Sequence, residues 1–234
     1  MSKSLIIVIL ISSMLIVQGC VPEVRNDFNV EEKTMASADE QLFKVVEDND
    51  TKRIEQWIQA GANINAQDQS GRTATMIAAY NNDLTSAKVL IEAGSNVNIQ
   101  DDMKNNPFLY AGAEGYLDIL KLTIEAGADP AITNRYGGTA LIPASEHGYV
   151  DVVQELLTRT SVDVDHVNQL GWTALLEAII LNDGNAQQQE TIQLLIDHGA
   201  DVNISDRDGV SPLSHAKHKG FKEIEDILIR AGAK

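Results

Sequence analysis

Apolar residues along this chain come in short paired blocks. Thr139-Ala140-Leu141 opens one block, and Val152-Val153 with Leu156-Leu157 marks a second. A glycine turn at Gly137 precedes both. Apolar positions spaced at three and four residues predict helices. The same layout starts at Asp68, Asp101, Asn168 and Asp206, which predicts helices over Thr73 to Tyr80, Leu84 to Glu92, Pro107 to Glu114 and Leu117 to Glu125. The turn position falls at Gly71, Lys104, Gly137, Gly171 and Gly209, with gaps of 33, 33, 34 and 38 residues. A second marker agrees: the Ala-Gly glycines Gly61, Gly94 and Gly127 are 33 apart, as are Gly199 and Gly232. A fixed period near 33 with one turn and two helices per unit points to a solenoid.

The units resemble ankyrin repeats. The fingerprint of that family opens D-x-x-G-x-T-P-L-H and closes L-L-x-x-G-A-D-V-N. Here the openings are Asp68 to Met76, Asn134 to Ile142, Asn168 to Leu176 and Asp206 to Ser214; the closings include Leu90 to Asn98 and Leu195 to Asn203. The resemblance covers residue 37 to the C-terminus. It implies an all-α ankyrin-repeat solenoid of helix-turn-helix units with hairpin-like turns, in units starting near 37, 68, 101, 134, 168 and 206. The chain departs from the pattern in two respects. The family histidine is replaced by Met76, Leu109, Ile142, Leu176 and Ser214, so apolar packing is expected to take over from its hydrogen bonds. The unit at Asp101 lacks its turn glycine, so Lys104 or Asn105 must adopt the left-handed backbone under strain.

The N-terminus reads differently. Leu5 to Val17 is an apolar run of 13 residues after Lys3, the length of a signal-peptide core and short for a bilayer span. Val17-Gln18-Gly19-Cys20 resembles a bacterial lipobox, which implies cleavage before Cys20 and lipidation of that residue. Residues 1–19 are thus expected to be a lipoprotein signal peptide, and residues 20–36 a lipidated N-terminus and flexible tether. The resemblance implies a lipid-anchored protein exported to the cell envelope. In a Gram-negative host, Val21 after the cysteine implies the outer membrane, facing the periplasm. Ser37-Ala38-Asp39-Glu40 has the form of a capping box and predicts the first helix start. Trp57 is expected to pack in the core.

Three irregularities stand out. Pro143 falls inside a predicted first helix, where it removes a hydrogen bond. The second helix of the same unit ends near Thr160 without glycine. Leu181 to Glu190 is about five residues longer than its siblings, as a surface loop or a longer helix.

Charge narrows the partners. The formal net charge is −16, near −17 once Lys3 is removed with the signal segment. Such a surface repels phosphate backbones, which argues against nucleic acid and favours neutral or basic protein partners. Cys20 is the single cysteine, so no internal disulfide forms. His215 and His218 share a helix face but lack a third metal ligand. No G-x-S-x-G, H-E-x-x-H or P-loop occurs. No catalytic residues and no cofactor are expected.

The resemblance implies a row of turns and first helices forming a concave binding face. Carried over, candidate contact residues are Arg72, Tyr80, Met103, Arg135, Tyr136, His147, Leu170 and Trp172, with Tyr136 and Trp172 central. The expected function is capture of an unknown protein partner at the membrane surface. Alternatives are an envelope immunity-type inhibitor of a toxin, a hydrolase or isomerase site in the concave groove using an acid such as Glu146 or Glu177, and a structural spacer.

Overall fold

The computed structural model describes residues 28–234, with side chains described from residue 38 onward. The signal segment, the Cys20 motif and residues 20–27 of the expected tether lie outside the described residues.

Twelve α-helices and no strand occur among the described residues. They run α1 (Phe28–Glu47), α2 (Thr51–Gln59), α3 (Ala74–Tyr80), α4 (Leu84–Glu92), α5 (Pro107–Glu114) and α6 (Leu117–Glu125). The second half is α7 (Leu141–Glu146), α8 (Val150–Arg159), α9 (Ala174–Ile180), α10 (Ala186–Asp197), α11 (Pro212–Lys219) and α12 (Lys222–Arg230). Each odd helix pairs with the even helix that follows, giving six pairs. Odd helices pack on odd neighbours and even on even, the quasi-one-dimensional stacking of a repeat array. The apolar faces form one core cluster in the first units and a larger one from Ala79 to Leu228. Trp57 packs against the first of these, as expected.

Small residues let the inner helices approach closely. A Cβ added at Gly112 would stand 2.9 Å from the Cβ of Ala140. Four inner helices, α3, α5, α9 and α11, start from a side-chain cap: Thr73 accepts from Met76 N, Asn106 from Leu109 N, Thr173 from Leu176 N and Ser211 from Ser214 N. The turns are closed by one geometry repeated along the chain. Asp68, Asp101, Asn134, Asn168 and Asp206 each accept two backbone N–H groups through one side-chain oxygen. The Asp/Asn that opens each unit is therefore the template of its turn.

Several sequence expectations change. The first helix does not start at Ser37. It begins at Phe28, and Ser37 lies inside it. The stretch Val30 to Ala36 contains no Gly or Pro and is rich in helix formers, so nothing stops the helix there. Asp39 instead accepts Asn63 N at 2.6 Å, tying the first unit to the end of its own second helix. The strained turn residue is Lys104, with φ +61°. The extra residues at Leu181 to Glu190 split between a longer turn and a longer helix. Their side chains reach back: Gln188 Nε2 donates to Glu146 O at 2.8 Å, and Asn182 Nδ2 donates to the same carbonyl.

The missing family histidine is replaced by polar stitches as well as apolar packing. Gln67 Nε2 bridges Gly71 O and Gln100 O, Gln100 Nε2 bridges Lys104 O and Thr133 O, and His166 Nε2 meets Gly137 O at 2.7 Å.

Candidate functional site

A concavity lies where three successive units meet. The turns at Met103 to Asn105, Asn134 to Gly138 and Asn168 to Leu170 form one side. Residues of α5, α7 and α9 form the other, enclosing a cleft of about 470 Å³. That volume lies in the range of ligand-sized pockets. The rim is apolar and solvent-facing: Met103 is 47% exposed, Tyr136 53%, Leu170 51% and Leu181 48%. Scattered exposed apolar side chains are ordinary; four around one cleft mark a contact surface.

Three acids also line the cleft: exposed Glu114, half-buried Glu146 and buried Glu177. Glu177 is only 5% exposed. One of its carboxylate oxygens accepts Asn168 Nδ2 at 2.7 Å. Burial, with the nearby Glu146 charge added, pushes the Glu177 carboxyl up to about 7, against the Asn168 hydrogen bond. The rim cation, Arg135, stacks on the Tyr136 ring at 4.7 Å and points a guanidinium nitrogen at Met103 Sδ, 3.6 Å away.

Four of the eight sequence candidates, Met103, Arg135, Tyr136 and Leu170, come together on this cleft. Arg72 and Tyr80 line a separate shallow depression that shares Met103. Arg72 is held by Asp68 at 2.6 Å and by Glu47 at 3.5 Å. Burial alone would raise the Asp68 carboxyl, but the Arg72 guanidinium and the turn amides hold it below its usual range. The Tyr80 hydroxyl donates to Asp101 at 2.6 Å and accepts from Asn105 at 3.1 Å. Its ring meets Tyr110 edge-on at 4.4 Å, and burial pushes the phenol up to about 12. His147 is exposed beside Tyr149 and outside the cleft. Trp172, expected at the centre, is half-buried and takes no part in the lining; Leu170, Glu177 and Leu181 close that end instead.

Leu181 was not among the sequence candidates, and Glu177 entered only as a groove acid of the hydrolase or isomerase alternative and not as a partner contact. The available signal was a lone acid in the apolar run Ala174-Leu-Leu-Glu-Ala-Ile-Ile180. His215 of α11 bonds Asp206 of its own turn at 2.7 Å, and Asp206 is held below its usual range by the Val210 amide first and by His215. Among the described residues no group of three or more His, Cys, Asp or Glu is arranged to hold a metal ion. None of the described helices is long and apolar enough to cross a membrane.

The family model described as ankyrin repeats in three copies matches residues 42–134, 108–206 and 141–234. The chain belongs to the ankyrin repeat family. The ankyrin repeat protein YahD of Escherichia coli (strain K12) is 51% identical over 81 residues, which is 35% of this chain and 40% of YahD. An ankyrin repeat protein of Rickettsia felis (strain ATCC VR-1525 / URRWXCal2) is 38% identical over 79 residues, 34% of this chain and 20% of its own length. The chain therefore spans less than half the length of these relatives. Among solved structures, an ankyrin repeat domain from Acinetobacter baumannii AYE is 48% identical with a TM-score of 0.81, covering 83% of this chain and 98% of that one. The ankyrin repeat protein EF0377 is 39% identical with a TM-score of 0.77, covering 81% and 96%. The ankyrin repeat domain of Bcl-3, at 24% identity and TM-score 0.73 over 82% of this chain and 86% of its own, shares the fold. Ankyrin repeats generally mediate protein–protein interaction.

Proposed function

We propose that this ankyrin repeat protein captures a protein partner in its concave cleft while a lipid on Cys20 holds it at the membrane of a bacterial cell envelope. The observation that carries the binding reading is the ring of Met103, Tyr136, Leu170 and Leu181, four large apolar side chains each about half exposed around one cleft. Apolar and aromatic anchors in a concave, water-excluding patch supply most of the energy of such contacts. The lipobox-like Val17 to Cys20 supports the anchor, since several acyl chains hold a protein stably where one does not. The net charge of −16 favours a neutral or basic partner and disfavours nucleic acid.

The test is crosslinking and capture from intact cells. The native chain is compared with a Tyr136→Ala, Leu170→Ala variant whose fold is verified by circular dichroism. A partner held by the native chain and lost from the variant supports the cleft. The same partners on both would move the binding face elsewhere. Labelling with a palmitate analogue, present on the native chain and absent from Cys20→Ala, tests the anchor independently.

A further inference from the structure

Glu177 is a carboxylate that its own helix does not need. It is the fourth residue after the capping Thr173. The equivalent positions after Thr73, Asn106, Thr139 and Ser211 hold Ile77, Tyr110, Pro143 and His215. An inner helix forms in every case, so the architecture sets no requirement for an acid there. Yet Glu177 is 5% exposed and faces the cleft. One oxygen takes Asn168 Nδ2; the other has no hydrogen-bond partner among the described residues. Glu114 and Glu146 line the same cleft, and none of the three acids is in an ion pair among the described residues. The rim cation Arg135 is engaged with Tyr136 and Met103. A buried charge without a counterion is unfavourable, and a desolvated cation placed beside it relieves the penalty. Groups perturbed in this way concentrate at functional sites.

We infer that the cleft receives a lysine or arginine side chain of the partner protein, flanked there by an apolar residue. The Glu177 carboxylate, backed by Glu146, takes the cationic head. Met103, Tyr136, Leu170 and Leu181 cover the aliphatic stem and the apolar neighbour, as long basic side chains bury their stems and keep their heads on a polar group. The inference deepens the cleft-binding reading above and rests on it. The chain's net charge of −16 adds a long-range attraction to a basic segment.

The experiment titrates the full chain with three acetylated, amidated peptides that differ only at the centre: Leu-Lys-Leu, Leu-Arg-Leu and Leu-norleucine-Leu. Binding is followed by backbone amide chemical shifts. The basic peptides are expected to move the amides of Leu170, Glu177 and Leu181 and to bind at least about tenfold tighter than the norleucine peptide, a difference of about 1.4 kcal/mol. Glu177→Gln should lose that preference with circular dichroism unchanged, and Glu92→Gln on the outer helix α4 should keep it. Equal binding of the norleucine peptide in the cleft overturns the basic-residue inference while leaving the concave-face reading intact. Retained preference in Glu177→Gln also overturns it. Shifts that avoid the cleft with every peptide overturn it too, and the capture experiment then decides the broader reading separately.

Discussion

Glu177 is favoured as the neutral acid in the fold and ionises freely when unfolded. Its carboxyl titrates near 7 when folded, against an ordinary value of 4.5. The native state therefore binds more protons between these values, and stability must fall as pH rises through that window. The stabilising contribution is fully present below about 4.5 and is gone once pH exceeds about 7. Glu177→Gln keeps an acceptor for Asn168 and removes the ionisation, so the variant should be more stable at pH 8 by up to about 3 kcal/mol. It should also flatten the native pH dependence between 4.5 and 7, read by urea unfolding at several pH values; a parallel pair of curves would refute the assignment. Lys104 makes a second test at this scale. It holds φ +61° where the sibling turns use Gly71, Gly137, Gly171 and Gly209. Left-handed backbone disfavours a side chain, so Lys104→Gly should stabilise by about 1 kcal/mol, visible as a raised urea midpoint with unchanged slope.

The helix α7 shows how one residue reshapes an element. In its siblings the capping residue uses its hydroxyl or amide oxygen for the third N–H and its carbonyl for the fourth. In α7 the fourth residue is Pro143, which has no N–H. Ile142 N turns to the Thr139 carbonyl at 3.3 Å, and the Thr139 hydroxyl is left buried without a partner. The same substitution should therefore act oppositely in two units. Thr73→Val removes a working cap and should cost about 1 kcal/mol. Thr139→Val removes an orphaned polar group and should be neutral or stabilising in thermal unfolding. Elements were legible in the sequence to this level: the repeat period and apolar spacing placed helices at Thr73 to Tyr80, Leu84 to Glu92, Pro107 to Glu114 and Leu117 to Glu125, within a residue of α3 to α6. What the sequence hid was competition between local signals, as where the capping form at Ser37 was overridden by the helix-compatible stretch before it. The site was half legible for a related reason. Turn positions are set by the repeat, so Met103, Tyr136 and Leu170 could be placed. Which turn side chains converge depends on how successive units are offset, and that put Trp172 outside the cleft.

At the scale of the molecule, stability depends on how each unit is tied to the next, and one tie is missing. The ends of successive units are stitched by a side-chain oxygen accepting a backbone N–H from the following unit. Asn65 accepts Asn96 N at 2.7 Å, Asn98 accepts Asp129 N at 2.8 Å, Asp165 accepts Asp201 N at 2.9 Å and Asn203 accepts Lys234 N at 3.0 Å. The equivalent position between Asn98 and Asp165 is Ala131, which has no oxygen to offer, and Asp163 N has no hydrogen-bond partner among the described residues. The backbone at Ala131 is nonetheless shaped like its counterparts. Ala131 N donates to Asp129 Oδ1 at 2.9 Å, just as Asn65, Asn98, Asp165 and Asn203 donate their backbone N–H to side-chain oxygens of Asn63, Asn96, Asp163 and Asp201. Only the side chain is lacking. In a repeat array stability is close to a sum of unit and neighbour-interface terms, so adding one rung strengthens this interface directly. Ala131→Asn should stabilise by about 0.5–1.5 kcal/mol, the net worth of one hydrogen bond, and raise Tm by a few degrees. Native-state hydrogen exchange should show the Asp163 amide newly protected. Asn98→Ala should do the reverse one unit earlier, exposing the Asp129 amide. The missing rung joins the units whose turns carry Met103 and Tyr136, so the cleft spans the least-stitched interface of the array. A stabilised Ala131→Asn chain with an unprotected Asp163 amide would show that the gain came from turn propensity instead of the rung.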